Sequence, residues 1–342
     1  MKQLFTLLIL VAIGTFVTAQ NFDNAGDYMS YISKQQENIS KKFLSYTSAS
    51  AHGKREKKVE ALRNKLINEV DESRMNIGSM PSFKTDKSYR DTAVNFMKLY
   101  YNVLNDDYSK IINMEEIAEQ SYDAMEAYLM AQEKVNEKLQ QSNEKLRLAQ
   151  TAFATKNNVN LINSQSNIGD MMEEVHQMNV YYHQIYLLFF RPLKQEAYLL
   201  EAIEKGNITG IEQNKNALLK YAQEGLEKLT TIKAFKGDNS IAAACKNMLG
   251  FYVKEVNDKM AVTSDFFLTK ERFETIKKEF EKKSSPGKDE VAAYNKGVSD
   301  INKASDVYNK NNQTLNQQRK EALDNWNSAE KSFFDEHTPR YK

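Results

Sequence analysis

Residues 289–336 read DEVAAYNKGVSDINKASDVYNKNNQTLNQQRKEALDNWNSAEKSFFDE, and a single period runs through the whole stretch. Positions 291, 294, 298, 301, 305, 308, 312, 315, 319, 322, 326, 329 and 333 follow one another in alternating steps of three and four. Ten of these thirteen positions are apolar or aromatic, among them Val291, Tyr294, Val298, Ile301, Leu315, Trp326 and Phe333. Such steps place every one of them on a single stripe of an α-helix, whereas a strand would need alternation at a period of two. The stretch therefore predicts one long helix over Asp289–Glu336 with a narrow seam, which fits an intramolecular bundle, the favoured reading, or a self-association surface. Ser305, Asn312 and Arg319 interrupt the seam at consecutive same-class positions. Polar residues there set register or partner choice at some cost in stability.

The rest of the chain agrees with a helical reading. Among 342 residues there are only 12 Gly and 4 Pro, too few for the turns of a sandwich or barrel, while 41% are apolar and 27% charged. Lys and Arg total 47 against 46 Asp and Glu, so no global field favours nucleic acid or anionic lipid. One cysteine excludes an internal disulfide framework and a cysteine-built zinc site.

Sliding the chain by 152 residues aligns Asn64–Asp106 with Asn216–Asp258 without a gap, and eleven of the 43 positions are identical. The centre of the repeat is Phe-Lys-x-Asp-x-Ser, at Phe83–Ser88 and again at Phe235–Ser240, and Tyr100 matches Tyr252 on the stripe that follows. Asp86 or Ser88, and likewise Asp238 or Ser240, suit the cap of a starting helix. The preceding phenylalanine suits a hydrophobic staple. A duplicated ligand pocket around Phe, Asp and Tyr is the functional alternative.

Apolar spacing predicts helices to about Ser50 and to about Gly78, with His52-Gly53 and Pro81 as breaks, and a third from the Asp86 cap. A fourth is expected from a capping box at Asn113–Glu116 to about Lys156, with heptad positions Met125, Gln132, Leu139, Leu146 and Phe153. Met171–Ile203 read as helical with an interruption at Arg191-Pro192, and Ile211–Lys233, Asn239–Thr263 and Phe266–Lys283 follow, closed by the loop Ser284–Lys288.

Lys2, the apolar run Leu4–Val17 and the small residues Val17 and Ala19 have the layout of a signal peptide over residues 1–19, cleaved after Ala19. No later segment is apolar enough to span a bilayer, so a mature chain from Gln20 is expected in the periplasm, outside the cell or on its surface. Cys245, flanked by alanines, reads as a small buried hydrophobe.

Chemistry is sparse. Glu173 and His176 form one Glu-x-x-His, and His183 lies on the same helix face, but the second copy that a dimetal bundle uses is missing. His52 falls in a loop and His337 in the tail. Tyr181, Tyr182, Tyr186, Phe189 and Phe190 make an aromatic band around His183, which reads as core, with an apolar-ligand pocket or a membrane-inserting segment as alternatives. No nucleophile elbow, phosphate loop or paired-carboxylate site is present. Neither catalytic residues nor a metal or other cofactor is predicted.

The signal peptide, the run MPSFKTDKSYRDTAVNFMKLYYNVLNDDY at Met80–Tyr108 and NMEEIAEQSYDAMEAYLMAQEK at Asn113–Lys134 resemble an uncharacterised family of secreted all-helical surface proteins of outer-membrane-bearing bacteria. The resemblance implies a secreted, helical, non-enzymatic protein and carries no site residues.

The expectation is an all-α protein: two tandem helical bundles, spectrin-like or four-helix-bundle-like, over residues 20–160 and 161–342, related by duplication. It would be a structural or interaction protein of the cell envelope that meets a protein partner, or itself, through helix faces. Asn136–Gln150 and the Ser305–Arg319 seam are the candidate faces. The alternative is a carrier of an apolar ligand or a metal beside Tyr182, His183 and Tyr186.

Overall fold

The computed structural model describes residues 22–107, 120–161 and 167–341. The expected signal peptide and the capping box at Asn113–Glu116 lie outside them. Among the described residues the fold is all-α. α1 (Ala25–Ala51) starts at Asn24, whose side chain accepts a hydrogen bond from the Asp27 N–H. Phe22 packs edge-on against Tyr28 and Tyr31, fixing the direction of approach as a staple does. α2 (Glu56–Gly78) returns antiparallel and leads into a tight turn.

In that turn Phe83 and Asp86 exchange both backbone hydrogen bonds, at 3.1 and 2.9 Å, and Lys84 and Thr85 take positive φ of 47° and 71°. The Asp86 carboxylate then accepts from the Ser88 N–H and hydroxyl and caps α3 (Ser88–Asn102), which ends in a π-helical turn, Val103–Asp107. α4 (Tyr122–Lys156) opens on Ser121, whose hydroxyl accepts from the Ala124 N–H.

α5 (Asn167–Glu204) is one continuous helix, which corrects the interruption expected at Arg191-Pro192. Proline removes the hydrogen bond to the carbonyl four residues back and usually kinks or breaks a helix. Here that carbonyl, on Leu188, faces Gly225 of α6 (Ile208–Leu229), 3.7 Å from where a Cβ would stand. The glycine lets α6 approach that carbonyl closely, and the helix continues through a buried Pro192. The Phe-Lys-x-Asp turn recurs at Phe235–Asp238, with mutual backbone bonds of 3.0 and 2.8 Å and positive φ at Lys236 and Gly237. α7 (Ser240–Lys254) and a second π-helical turn, Glu255–Lys259, follow at a spacing of 152 residues from their first-half counterparts. α8 (Met260–Glu281) and α9 (Lys288–His337) complete the chain, and the 50 residues of α9 match the seam helix within one residue at each end. At a rise of 1.5 Å per residue α9 is about 75 Å long.

Two apolar cores result. One joins α1, α2 and α3 to Leu146, Phe153 and Ala154 of α4. The other joins α5, α6, α7, the start of α8 and the end of α9, and takes in Met125, Tyr128 and Leu129 from the start of α4. α4 therefore serves both. Each core is keyed in the same way: Phe83 packs on Tyr28 of α1 and Phe153 of α4, and Phe235 packs on Tyr181 of α5 and Phe333 of α9. The chain's end closes back on its beginning, since the Tyr341 N–H donates to Ser48 Oγ at 3.0 Å and His52 pairs with Asp335 at 2.6 Å.

Candidate functional site

The aromatic band is packed. The Tyr182 hydroxyl donates to the Glu330 carboxylate, and its ring meets Phe334 at 4.7 Å and Tyr186 at 5.5 Å. Phe189 lies flat on Trp326, with centroids 3.9 Å apart and planes within 5°. Burial holds the His183 imidazole below its ordinary pKa, as expected for a neutral ring among apolar neighbours. His176 meets Gln140 of α4 at 3.2 Å, while Glu173 accepts from Gln177, so the Glu-x-x-His does not converge. Cys245 is fully buried, its thiol pushed up to about 12 by burial.

His337 is not in a loose tail. It is buried between the Phe235 and Phe333 rings, and its Nε2 lies 2.8 Å from Asp238 Oδ2. Asp238, Glu336 and His337 bring three metal-type ligand atoms within 4.8 Å of one another. The first half explains the contact without a metal. There Lys156, at the end of α4, donates to the equivalent Asp86 at 2.7 Å. In each half the cap carboxylate is thus fastened to a cation-forming side chain from the closing helix. Asp86 is held down to about 2 by Lys156 and then by Ser88. Burial alone raises Asp238, but Ser240 and His337 more than offset it and leave its carboxyl below the ordinary value.

The Ser305–Arg319 seam is covered by the chain's own helices, as an intramolecular bundle requires, so this candidate is not an open face for other molecules. Tyr308 stacks on Phe266 at 4.3 Å, Asn311 donates to the Lys259 carbonyl at 3.2 Å, Leu315 is buried, and Arg319 bonds Glu196 and Glu255. Along Asn136–Gln150 only Leu146 is buried, and Leu148 is exposed.

The open surface lies elsewhere. Beyond Phe267 of α8 and before Asn311 of α9, the two helices form a hairpin in which Gly297 is the only buried residue. Phe280 and Tyr294 stack at 4.6 Å, and Phe273 lies across α9 where a Cβ on Gly297 would come within 2.9 Å of its ring. One side of the hairpin is a groove of about 700 Å³. Its apolar lining includes Val262, Phe273, Ile276, Ala293, Ala304 and Val307, and its charges are Asp265, Arg272, Lys296, Asp300 and Lys303. Small residues at 293, 297 and 304 keep the α9 wall low. Each of these residues reads singly as an ordinary amphipathic position. Only the interrupted burial along the hairpin sets them apart, and a continuous seam gave no sign of it.

The class these features define is an all-α protein of two keyed cores with a projecting helical hairpin. Comparison with protein-family models, curated proteins and solved structures finds no match. Among the described residues no helix is long and apolar enough to cross a membrane.

Proposed function

We propose that the protein is a non-enzymatic interaction protein that docks an amphipathic helix of a protein partner in the α8–α9 groove. The observation that carries this reading is the hairpin itself: two helices that present Phe273, Ile276 and Val307 in an open groove, with no core residue among the described ones laid over them. Two helices alone cover one stripe each, and a third in the groove buries the remainder, which is the helix-in-groove mode of recognition. Five groove charges of both signs supply register rather than a general attraction. The reading includes export by the 1–19 signal peptide to the periplasm or cell surface, and kinship with secreted helical surface proteins, both resting on the sequence. It also includes origin of the two halves by duplication, supported by the turns, helices and π-helical turns that recur at 152 residues.

The test places a photo-crosslinking residue at Val307 or, as control, at the exposed Leu148 of the native-source protein. The expected result is a single adduct from Val307, absent from Leu148, and abolished by Ala304→Trp with unchanged thermal unfolding. Equal labelling from both positions, or labelling that survives the filled groove, overturns the reading. An adduct of twice the chain mass identifies the partner as a second copy.

A further inference from the structure

The middle of α9 is fastened by charges where the first half uses apolar side chains. Arg319 donates from Nε to Glu196 Oε1 of α5 at 2.5 Å, from one terminal nitrogen to Glu255 Oε1 at 2.7 Å and from the other to Asn316 Oδ1 at 2.6 Å. Glu196 and Glu255 are 3% and 1% exposed. Their counterparts are all apolar. α1 and α5 superpose in sequence through Tyr28/Tyr181 and Gly53/Gly206, which sets Phe43 opposite Glu196. Val103 opens the first π-helical turn as Glu255 opens the second. Leu139 stands two heptads before Phe153, as Arg319 stands two before Phe333. Phe43 and Leu139 pack on the first core, and Val103 is buried.

Two ionised carboxylates and one guanidinium leave an uncompensated negative charge in a dry interior, which is strongly unfavourable. Glu255 Oε2 is buried and accepts no hydrogen bond among the described residues, which makes it the place for a proton shared toward Glu196. Burial, and then Glu196, push the Glu255 carboxyl up to about 8 against the pull of Arg319. The Tyr252 hydroxyl of α7 is raised well above its usual value, by burial first and then by Glu196 and Glu255, and stays neutral beside them. α6 also packs on this turn and carries the self-paired Lys215 and Glu212, with Glu212 further held by Ser264 of α8. No cation besides Arg319 bonds either carboxylate among the described residues.

We propose that a proton on Glu255 makes this cluster a pH-operated latch on the C-terminal helix. With the proton in place, Glu196 and Arg319 cancel and α9 is held to α5 and the π-helical turn. When the proton leaves for solvent, two carboxylates face one guanidinium and the middle of α9 is released. A carboxyl bound more tightly to its proton in the folded chain stabilises fully below its unfolded value. That contribution is lost as pH rises through about 8.

Hydrogen exchange of the full chain at about pH 7 and about pH 9, corrected for intrinsic base catalysis, tests the latch. Exchange across 311–325 is expected to accelerate about tenfold beyond the correction in the wild type and not in Glu255→Gln. The apolar triple Glu196→Phe, Glu255→Val, Arg319→Leu provides a second pH-insensitive reference. Equal acceleration in the wild type and these variants overturns the latch, as does acceleration spread over both halves or none at all.

Discussion

The two keyed turns share one backbone and differ in what surrounds them. Phe83–Ser88 and Phe235–Ser240 make the same mutual backbone bonds, the same aspartate cap and the same ring contact with the closing helix. Two heptads back along the closing helix, the first half continues in hydrocarbon at Leu139 and the second in a three-membered charge cluster at Arg319. The same key thus sits beside an apolar interior in one half and a charged one in the other.

The sharpest way to break this comparison is to remove one member of the cluster. Arg319→Leu leaves Glu196 and Glu255 buried without a cation, and the expected loss is about 3–5 kcal/mol at neutral pH by denaturant unfolding. The apolar triple described above, although a larger change, is expected to unfold at or above the wild-type midpoint, as first-half packing implies. A triple as damaged as the single variant would show that the halves do not pack alike.

Next in size are the keys. Phe83→Ala and Phe235→Ala each remove a buried ring that touches two helices, with an expected cost of about 3 kcal/mol apiece. Calorimetry sharpens the comparison. If the cores are equivalent, the two variants lose stability equally. A much smaller loss for Phe83→Ala would make the second core dominant.

The smallest expected effect has the opposite sign. Thr85 holds a φ of 71° where the second half has Gly237 at 89°. A β-branched residue is strained there and a glycine is not. Thr85→Gly is expected to raise stability by about 1 kcal/mol, the order of the left-handed penalty. A thermal midpoint unchanged or lowered would mean that the Thr85 hydroxyl, which donates to the Lys84 carbonyl at 2.5 Å, offsets the strain.

Much of this architecture is legible in the sequence because it rests on local rules. The caps at Asp86 and Asp238, the stops at His52-Gly53 and Gly78, and the stripe from Val291 to Phe333 follow from cap chemistry and helical period alone. What is not legible depends on partners distant in the chain. Pro192 reads as a break because nothing nearby shows that Gly225 will pack against Leu188. Glu196 sits in a run that looks like any amphipathic face. Arg319 announces only that something must neutralise it, and its two carboxylates lie 123 and 64 residues away. The groove is hidden for the same reason, since its seam is as regular where the core covers it as where it stops.

The joint between the chain's two ends bears on the order of folding. Ser48 and Tyr341 are 293 residues apart, and His52 and Asp335 are 283 apart. The first core, by contrast, draws on no described residue beyond Val159. Contacts near in sequence form fast, and distant ones wait on loop closure. A chain emerging from its N-terminus can therefore assemble α1 to α4 before α9 exists, and the clasp at Ser48 is the last joint to form. Refolding should show it as a slow late phase after both cores have buried their rings.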